Sequence, residues 1–204
     1  MGLTEREAAA DLFFRVLQGS PENRRALDLY ESAQGYHSFF ADTGRYILTR
    51  LTLPGIATAF APVPYQGGLI VAGERMVDDK QANPWNERSF LDLYHTTSRT
   101  IVTWTDAKPL PGEVNGAYHE GPAVLSADGR TLYFTRSNYV ERKLLKDEGN
   151  TSHLKLFRAT LDSAGNWSDL RAFAHNSDDW STGHPALSRD GRTLYFASDR
   201  PGGY

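Results

Sequence analysis

The first 35 residues carry apolar side chains at the three- and four-residue spacing of an amphipathic helix. Along the first segment these side chains are Ala9, Leu12, Phe13, Val16 and Leu17. The spacing predicts a helix with one face packed against a neighbour. Thr4 and Glu7 fit a capping box at its start. The run Gly19-Ser20-Pro21 predicts the end of this helix and the start of a second one, with Ser20 as the N-cap.

A second helical segment follows, and its predicted buried face consists of Ala26, Leu29, Tyr30 and Ala33. Gly35 is expected to end this helix. The spacing of Ala9, Phe13, Val16 and Pro21 resembles the second helix of a tetratricopeptide unit, followed by the proline that begins the next unit. A plain helical hairpin is the alternative. Residues 36–51, with a turn pattern at Asp42-Thr43-Gly44, are expected to form a linker.

From about Leu53 onwards the helical spacing is replaced by glycine, proline and short β-rich runs. The heptapeptide Asp-Gly-Arg-Thr-Leu-Tyr-Phe occurs at residues 128–134 and again, unchanged, at residues 190–196, an offset of 62. Seven identical residues in a row indicate an internal repeat.

Further matches extend the repeat towards the N-terminus. With an offset of 63, three stretches match later ones: residues 69–72 match 132–135, residues 91–94 match 154–157, and residues 104–106 match 167–169. The first of these matches places the start of a degenerate first copy near Phe60. The one-residue difference between the two offsets is assigned to residues 122–126, which align with the shorter stretch 185–188.

Each copy is predicted to contain four short strands, which in the second copy are residues 123–126, 131–136, 154–160 and a fourth strand from Trp167. An Asp-Gly turn separates the first two strands, and a second turn, at residues 162–165, separates the last two. Four strands per copy, with an aromatic residue at a fixed place, are typical of a propeller blade. A β-sandwich of unrelated hairpins is the alternative, but it gives no reason for the turn, the aromatic residue and the spacing to repeat together.

The predicted fold class is therefore mainly β: a partial β-propeller of about two and a half four-stranded blades, preceded by a short α-helical hairpin. The predicted boundaries are 1–51 for the helical segment and linker, 52–204 for the propeller, and about 55–117, 118–181 and 182–204 for the blade units. Polar insertions lengthen the blades between strands two and three, at residues 74–88 and 137–152. Such loops gather on one face of a propeller, where partners bind; the alternative is that they are solvated loops without a partner.

Two runs carry a family resemblance: residues 119–139 (HEGPAVLSADGRTLYFTRSNY) and residues 176–204 (NSDDWSTGHPALSRDGRTLYFASDRPGGY). They resemble the TolB-type, WD-like propeller repeats found in outer-membrane-associated proteins of the OmpA family in Bacteroidetes. One protein of this family is a component of the type IX secretion machinery. The resemblance covers about residues 55–204. It implies a tetratricopeptide segment before the propeller and a peptidoglycan-binding OmpA-like domain after it.

Three features depart from that family's pattern. The first copy has Tyr65-Gln66-Gly67-Gly68 in place of the Asp-Gly turn, the repeat stops within a blade at Tyr204, and the first ten residues carry no export signal. We therefore expect an internal fragment of a longer protein, whose last sheet has an unpaired edge. The peptidoglycan-binding domain would lie outside this chain.

The repeated residues are predicted to have structural roles. The turn residues, which accept backbone hydrogen bonds or adopt a positive φ, are Asp128, Gly129, Asp190 and Gly191. The repeated aromatic residues of the strands are Tyr133, Phe134, Tyr195 and Phe196. Trp104 and Trp167 are expected to fill the space between adjacent blades. His119 and His184 are expected to precede first strands, where an imidazole would bond neighbouring backbone.

The chain has 22 basic and 25 acidic residues, a formal charge of -3 and no cysteine. This charge argues against sequence-independent binding of nucleic acid. The absence of cysteine excludes disulfides, thiolate nucleophiles and cysteine-ligated metals. The six histidines show no metal-ligand spacing, and the pairs Asp78-Asp79 and Asp178-Asp179 lack the alternating ligands of a calcium loop. No catalytic residue, cofactor or metal is predicted.

Two enzyme classes share features with this sequence. Residues 126–131 and 188–193 resemble the Asp-box of sialidase propellers, but they lack its extra residue between Asp and Gly, and leucine replaces the aromatic residue after Thr. An Asp-box is a turn and supplies no catalytic group. TolB-type blades also occur in prolyl-oligopeptidase-like peptidases, whose Gly-x-Ser-x-Gly elbow is missing here.

The sequence thus predicts a non-enzymatic interaction or scaffold module of an outer-membrane-associated, OmpA-family cell-envelope protein. By resemblance, the module acts at the periplasmic side of the outer membrane, with other cell-envelope or secretion-machinery proteins as partners. Peptidoglycan would be bound only through the downstream domain, and no nucleic-acid partner is expected. The alternative is an accessory propeller of a peptidase or glycosidase whose catalytic part lies elsewhere.

Overall fold

The structure is a computed structural model that describes residues 3–39, 43–47, 49–75, 83, 86–140 and 143–202. The chain forms two compact units, Met1–Arg50 and Leu51–Tyr204. The described part is mainly β, as expected, with two α-helices and four antiparallel sheets, none of them closed. None of its helices is long and apolar enough to cross a membrane.

The first unit contains the helices α1 (Leu3–Gly19) and α2 (Arg24–Phe39) and a short 3₁₀ helix, η1 (Thr43–Arg45). The two α-helices pack against each other, with the ring centroids of Phe14 and Tyr30 5.7 Å apart. Helix α2 ends at Phe39 and therefore includes the first residues of the predicted linker, residues 36–51.

The predicted apolar faces of the helices are only partly buried. Ala26 is buried, whereas three other residues of the predicted faces are exposed: Leu12, Val16 and Leu29. Helix α1 begins at Leu3 and therefore already includes Thr4 of the expected capping box.

Both ends of α2 differ from the prediction. Asn23, and not Ser20, caps the helix, because its Oδ1 accepts the Ala26 N–H at 3.1 Å. Ser20 belongs to the preceding turn, where its C=O accepts the Asn23 N–H at 3.0 Å. The helix continues past Gly35 to Phe39. A glycine costs a helix about 1 kcal/mol relative to alanine, which is too little to end it without other signals.

The second unit contains three successive sheets and one small hairpin. The first sheet consists, in order, of β1 (Ile56–Tyr65), β2 (Gly68–Arg75), β3 (Leu91–Thr97) and β4 (Lys108–Pro109). The second consists of β5 (Glu120–Leu125), β6 (Thr131–Ser137), β9 (Leu154–Leu161) and β10 (Trp167–Ala172). The third consists of β11 (Thr182–Leu187) and β12 (Leu194–Ser198). The hairpin β7 (Tyr139–Val140) and β8 (Lys143–Leu144) lies in the insertion between β6 and β9.

The four strands predicted for the second copy are confirmed, as is the strand predicted at residues 69–72. The hairpin β7–β8 is not predicted from the sequence, since the polar composition of residues 137–152 indicates a loop. Some residues singled out in the sequence lie outside the described part of the chain: Asp42, Asp78, Asp79 and Tyr204.

Strand pairing corrects one detail of the repeat. The β5–β6 ladder begins with Glu120 opposite Arg136, and the β11–β12 ladder begins with Thr182 opposite Ser198. Both hairpins then contain a register shift at the same place. All residues of the two hairpins therefore correspond with an offset of 62. The assignment of the one-residue difference to residues 122–126 is wrong, because the difference lies before Glu120.

The main buried core lies between the first two sheets. It consists of Ile70, Ala72, Leu93, Leu110, Val114, Ala123, Leu132, Phe134, Phe157, Ala159 and Trp167. A smaller cluster covers the other face of the first sheet and consists of Ile56, Val71, Tyr94 and Ala107. Consecutive residues of β2 contribute to different clusters, because side chains alternate between the two faces of a strand.

Candidate functional site

The insertions and the connections between sheets lie at one end of the strands. In a sheet of four consecutive antiparallel strands, the chain leaves the second and the fourth strand at the same end. That end carries the insertions after β2 and β6 and the connections after β4 and β10. We call it the insertion face, made up of Asn83, Phe90, Tyr118, His119, Asn138, Tyr139, His153, Lys155, Asp178 and Ser181.

Two asparagines hold the connections to the sheets. Asn115 Oδ1 accepts the Leu93 N–H at 2.7 Å, and its Nδ2 donates to the Leu93 C=O at 3.0 Å. Asn176 makes the same pair of bonds to Leu156, at 3.0 and 2.9 Å. Each side-chain amide thus satisfies both polar groups of one strand residue. The sequence repeat does not reveal these asparagines, because their offset of 61 differs from that of the strands.

The first residue of the third strand is bound by His119 in the first sheet and by Ser181 in the second sheet. His119 Nδ1 accepts the Leu91 N–H at 3.1 Å, and Ser181 Oγ accepts the Leu154 N–H at 3.2 Å. His119 is therefore equivalent to Ser181 and not to His184. The expectation that His184 precedes a first strand is wrong, because this residue lies inside β11 with an exposed side chain.

Aromatic rings run across the insertion face. The ring of Phe90 lies 5.0 Å from that of Tyr118 and 4.8 Å from that of His119, and Tyr118 lies 5.1 Å from Tyr139. All four rings are half-buried. Burial lowers the pKa of His119, with the carboxylate of Glu74 acting in the opposite direction. Burial thus favours the neutral imidazole, which can accept a hydrogen bond at Nδ1.

The second sheet contributes an ion pair to the insertion face. Lys155 Nζ lies 3.1 Å from Asp178 Oδ1, and the lysine side chain is 5% exposed against 67% for the aspartate. Asn138 Nδ2 donates to the same oxygen at 2.9 Å. The hydrogen bonds from Lys155 and Asn138 lower the pKa of Asp178. The pair borders a cavity of about 260 Å³, whose apolar walls include Val140 and Phe157.

Asp147, His153 and Ser181 stand in the order carboxylate, imidazole, hydroxyl. Asp147 Oδ2 lies 2.9 Å from His153 Nε2, and Ser181 Oγ lies 3.3 Å from His153 Nδ1. The same order of groups occurs in serine hydrolases. Here Ser181 Oγ already accepts the Leu154 N–H, and Asp147 Oδ1 accepts the Thr151 N–H at 2.8 Å. These bonds tie the second insertion to the connection that precedes β11.

Glu120 and Arg136 form a buried ion pair close to His119. Arg136 Nε donates to Glu120 Oε1 at 2.9 Å. Its Nη2 lies within hydrogen-bond distance of the carbonyl oxygens of Glu113, at 2.9 Å, and Val114, at 3.2 Å. The ion pair therefore also binds the connection between the first two sheets.

Burial raises the pKa of Glu120 to about 8, although the Arg136 guanidinium acts in the opposite direction. Glu120 Oε2 has no hydrogen-bond partner within the described structure, which is consistent with a carboxyl group that resists ionisation. In the third sheet the equivalent positions are Thr182 and Ser198, so this charged pair is not part of the repeat.

The two Asp-Gly turns lie at the opposite end of the sheets. Asp128 Oδ1 accepts hydrogen bonds from the Ser126 hydroxyl and from the backbone N–H two residues further on, and Gly129 has a φ of 68°. The turn with Asp190 and Gly191 repeats both bonds and has a glycine φ of 69°. In each turn the serine hydroxyl makes the largest contribution to lowering the aspartate pKa.

The repeated aromatic residues occupy different environments. Trp167 is buried in the core between the first two sheets, with its ring 6.0 Å from that of Tyr65. Trp104 is half-buried, belongs to neither buried cluster, and its Nε1 has no hydrogen-bond partner in the part of the chain that is described. In the strands, Phe134 is buried, Tyr133 and Phe196 are half-buried, and Tyr195 is exposed.

The residues that the sequence singled out do not come together at one place. Of these, His119 lies on the insertion face, Trp167 and Phe134 lie in the core, and the Asp-Gly pairs lie at the other end of the strands. Among the residues described, no group of three or more histidine, aspartate or glutamate side chains could hold a metal ion.

Comparisons with family models, with curated proteins and with solved structures find no match for this chain.

Proposed function

We propose that the chain is a non-enzymatic protein-interaction module built from consecutive propeller blades, and that its partner binds the insertion face. The observation that carries this proposal is the run of half-buried rings formed by Phe90, Tyr118, His119 and Tyr139, which joins both insertions. Aromatic side chains are enriched at protein interfaces, because they combine a large apolar area with few rotatable bonds.

The propeller part of the proposal is supported by the way the sheets repeat. Two four-stranded sheets with the same strand order are packed on a shared core, and a third hairpin with the same register shift follows. The asparagine bonds of Asn115 and Asn176 also recur at the same place. Hairpins of a β-sandwich would not need to share these details. In a propeller, the insertions would lie together on one face.

The nature of the partner follows from the chemistry of the face and from the sequence resemblance. The rings would bind apolar side chains, and the exposed Asp178 carboxylate would accept hydrogen bonds from a donor such as arginine. The resemblance of the repeats to OmpA-family proteins supports a cell-envelope or secretion-machinery protein as the partner, at the periplasmic side of the outer membrane.

An accessory propeller of a hydrolase is the second candidate, and the order of Asp147, His153 and Ser181 is the observation in its favour. We prefer the interaction module, because the Ser181 hydroxyl oxygen already accepts a backbone N–H. Covalent labelling of Ser181 by a serine-directed fluorophosphonate would favour the hydrolase instead.

The experiment compares three immobilised proteins in a cell-envelope extract of a Bacteroidetes bacterium: the wild type, a Tyr118→Ala/Tyr139→Ala double variant, and Tyr46→Ala. Tyr46 is 69% exposed in the helical unit and is a matched control for the loss of a tyrosine. We expect a protein that is retained by the wild type and by Tyr46→Ala and is lost from the double variant. Equal retention by all three would refute the assignment of the insertion face.

A further inference from the structure

The cavity of about 260 Å³ beside Lys155 and Asp178 is lined by the second sheet and by the segments attached to it. Lys155 and Phe157 lie on the same face of β9, because side chains alternate along a strand. Phe157 belongs to the core between the first two sheets, so this face is turned towards the first sheet. The third sheet packs on the opposite face, where Thr135 bonds β11. The cavity is therefore on the other side of the second sheet from β11 and β12.

Lys155 and Asp178 form the polar part of the cavity lining. The lysine side chain is buried, and its Nζ lies 3.1 Å from Asp178 Oδ1. An ammonium group has three N–H donors, and no described residue besides Asp178 lies in position to accept one of them. Asp178 Oδ1 also accepts a bond from Asn138 Nδ2, but the aspartate side chain is largely exposed. The pair thus leaves unused donors on Lys155 and an accessible acceptor on Asp178.

The first sheet has a different arrangement at the equivalent place. With the offset of 63, Asp92 and Tyr94 correspond to Lys155 and Phe157. The Tyr94 hydroxyl donates to Asp92 Oδ2 at 3.3 Å, and both side chains are buried. Phe157 has no hydroxyl group and cannot form such a bond. The ion pair at the cavity is therefore a feature of the second sheet and not of the repeat.

The other walls of the cavity are mostly apolar. Val140 and Leu145 come from the insertion between β6 and β9, and Phe157 and Ala172 come from the sheet. Val140 is 44% exposed and Leu145 is 36% exposed, so a ligand in the cavity would remove apolar surface from water. The volume is below the range of about 300–1,000 Å³ that is usual for small-molecule sites. It suits one apolar side chain and the polar group next to it.

The charges of the ion pair decide what that polar group is. A carboxylate would meet the like charge of Asp178, and a cationic group would meet that of Lys155. Like charges at such short distances repel strongly where burial limits the screening by water. A neutral amide avoids both repulsions, because its C=O can accept a bond from Lys155 and its N–H can donate to Asp178.

We propose that the cavity binds an apolar side chain of the protein partner together with the adjoining peptide group. The side chain packs against Val140 and Leu145, and the peptide group bonds Lys155 and Asp178. This inference rests on the proposed function, because it names what the partner places at one part of the insertion face. The rings of that face are not part of the cavity lining.

The test uses the full chain and the uncharged probe N-acetyl-L-leucinamide, which carries a leucine side chain between two amides. The probe is titrated into isotope-labelled protein and followed by NMR. We expect saturable shifts at the backbone amides of Val140, Leu145 and Asp178 and at the side-chain amide of Asn138. Binding should be weak, about millimolar, because the ligand is small. N-acetylglycinamide has no apolar side chain and should not give saturable shifts.

Two charged relatives of the probe test the choice of a neutral group. N-acetyl-L-leucine ends in a carboxylate, and L-leucinamide carries an amino group that is charged at about pH 6. We expect each of them to bind the wild type about threefold to fivefold more weakly than the neutral probe does, because each places a like charge beside the ion pair.

The variant Asp178→Asn tests the part played by the ion pair. It removes the charge that balances Lys155, so the order of affinities should reverse and N-acetyl-L-leucine should bind more tightly than N-acetyl-L-leucinamide. Asp179→Asn is the matched control, because Asp179 is exposed and lies outside the cavity lining. It should keep the wild-type order. The NMR spectra verify that both variants are folded, and the wild-type titrations test the proposal even if Asp178→Asn is not.

Four results would overturn the proposal. The first is the absence of saturable shifts in the wild type, and the second is a set of shifts away from the cavity. The third is binding of N-acetyl-L-leucine to the wild type at least as tight as that of the neutral probe. The fourth is an unchanged order of affinities in folded Asp178→Asn. None of them would alter the retention experiment with the tyrosine variants, because the titrations contain no partner protein.

Discussion

Gly121 lies so close to Ala72 that a Cβ on the glycine would be 2.4 Å from the alanine Cβ. Gly183 has the same relationship to Thr135, where a Cβ would be 2.8 Å from Cγ2. Ala72 and Thr135 are equivalent residues of consecutive sheets, and the two glycines are equivalent residues of the following first strands. Each sheet therefore approaches the preceding one through a glycine at a repeated position.

The substitution Gly121→Ala tests this contact. Its φ of 106° is a conformation that favours glycine, and the new Cβ would collide with Ala72. We expect the free energy of unfolding to fall by at least about 2 kcal/mol, measured by urea denaturation. The matched control is Gly129→Ala, where φ is also positive but no atom lies within 4 Å of the added Cβ. There the expected loss is about 1 kcal/mol. Equal losses would show that the backbone conformation, and not the contact between sheets, decides the effect.

The asparagine bonds give a second prediction. Asn176→Asp keeps the shape of the side chain but replaces the donor to the Leu156 C=O by a carboxylate oxygen. We expect a loss of about 2 kcal/mol in the free energy of unfolding, because the Leu156 C=O keeps its bond from the Phe173 N–H but loses its second donor and faces a negative charge. Asn150→Asp is the control, since exposed Asn150 accepts a bond from Lys146 that a carboxylate can also accept. Its effect should stay within about 0.5 kcal/mol.

Glu120 predicts a dependence of stability on pH. Its pKa in the folded state, about 8, lies above the ordinary value of 4.5, so the folded protein binds this proton more tightly than the unfolded chain does. The stabilisation by this group is complete below about pH 4.5 and is lost as the pH rises towards 8. In this range it contributes a slope of up to about 1.4 kcal/mol per pH unit.

Glu120→Gln removes the titration and keeps an oxygen that can accept from Arg136 Nε. We expect urea denaturation at several pH values between 4.5 and 8 to show a flatter profile for this variant than for the wild type. The variant should gain stability relative to the wild type as the pH rises. Glu113→Gln, at an exposed residue, is the control and should keep the wild-type slope. Parallel profiles for Glu120→Gln and the wild type would mean that Glu120 is ionised throughout this range.

The local parts of the fold are predictable, because neighbouring residues encode them. Ser126, Asp128 and Gly129 form a turn through bonds among themselves and the adjacent backbone, so the strands on either side can be placed from the sequence. The burial of Trp167 is likewise expected, because a large apolar side chain at a repeated position indicates a packed site, but Trp104 at the equivalent position is only half-buried.

Contacts between distant residues could not be predicted in the same way. His119 and Ser181 accept the same backbone bond although their side chains differ, so sequence identity conceals their equivalence. The rings of Phe90, Tyr118 and Tyr139 meet only because two sheets pack side by side, and no repeat relates them. The insertion face therefore forms only when the sheets pack together, and the residue pattern of a single strand does not predict that packing.

Two buried threonines at equivalent depth should respond in opposite directions to the same substitution. Thr135 Oγ1 accepts the His184 N–H at 2.8 Å, whereas Thr182 Oγ1 has no hydrogen-bond partner among the described residues. Thr135→Val leaves the His184 N–H without the Thr135 acceptor, and we expect a loss of about 1–3 kcal/mol in the free energy of unfolding. Thr182→Val removes a buried hydroxyl without breaking a bond, and we expect a gain of up to about 1 kcal/mol. Urea denaturation of both variants measures the difference in the free energy of unfolding. If Thr182→Val lost as much stability as Thr135→Val, the Thr182 hydroxyl would have a hydrogen-bond partner in solution, such as a buried water.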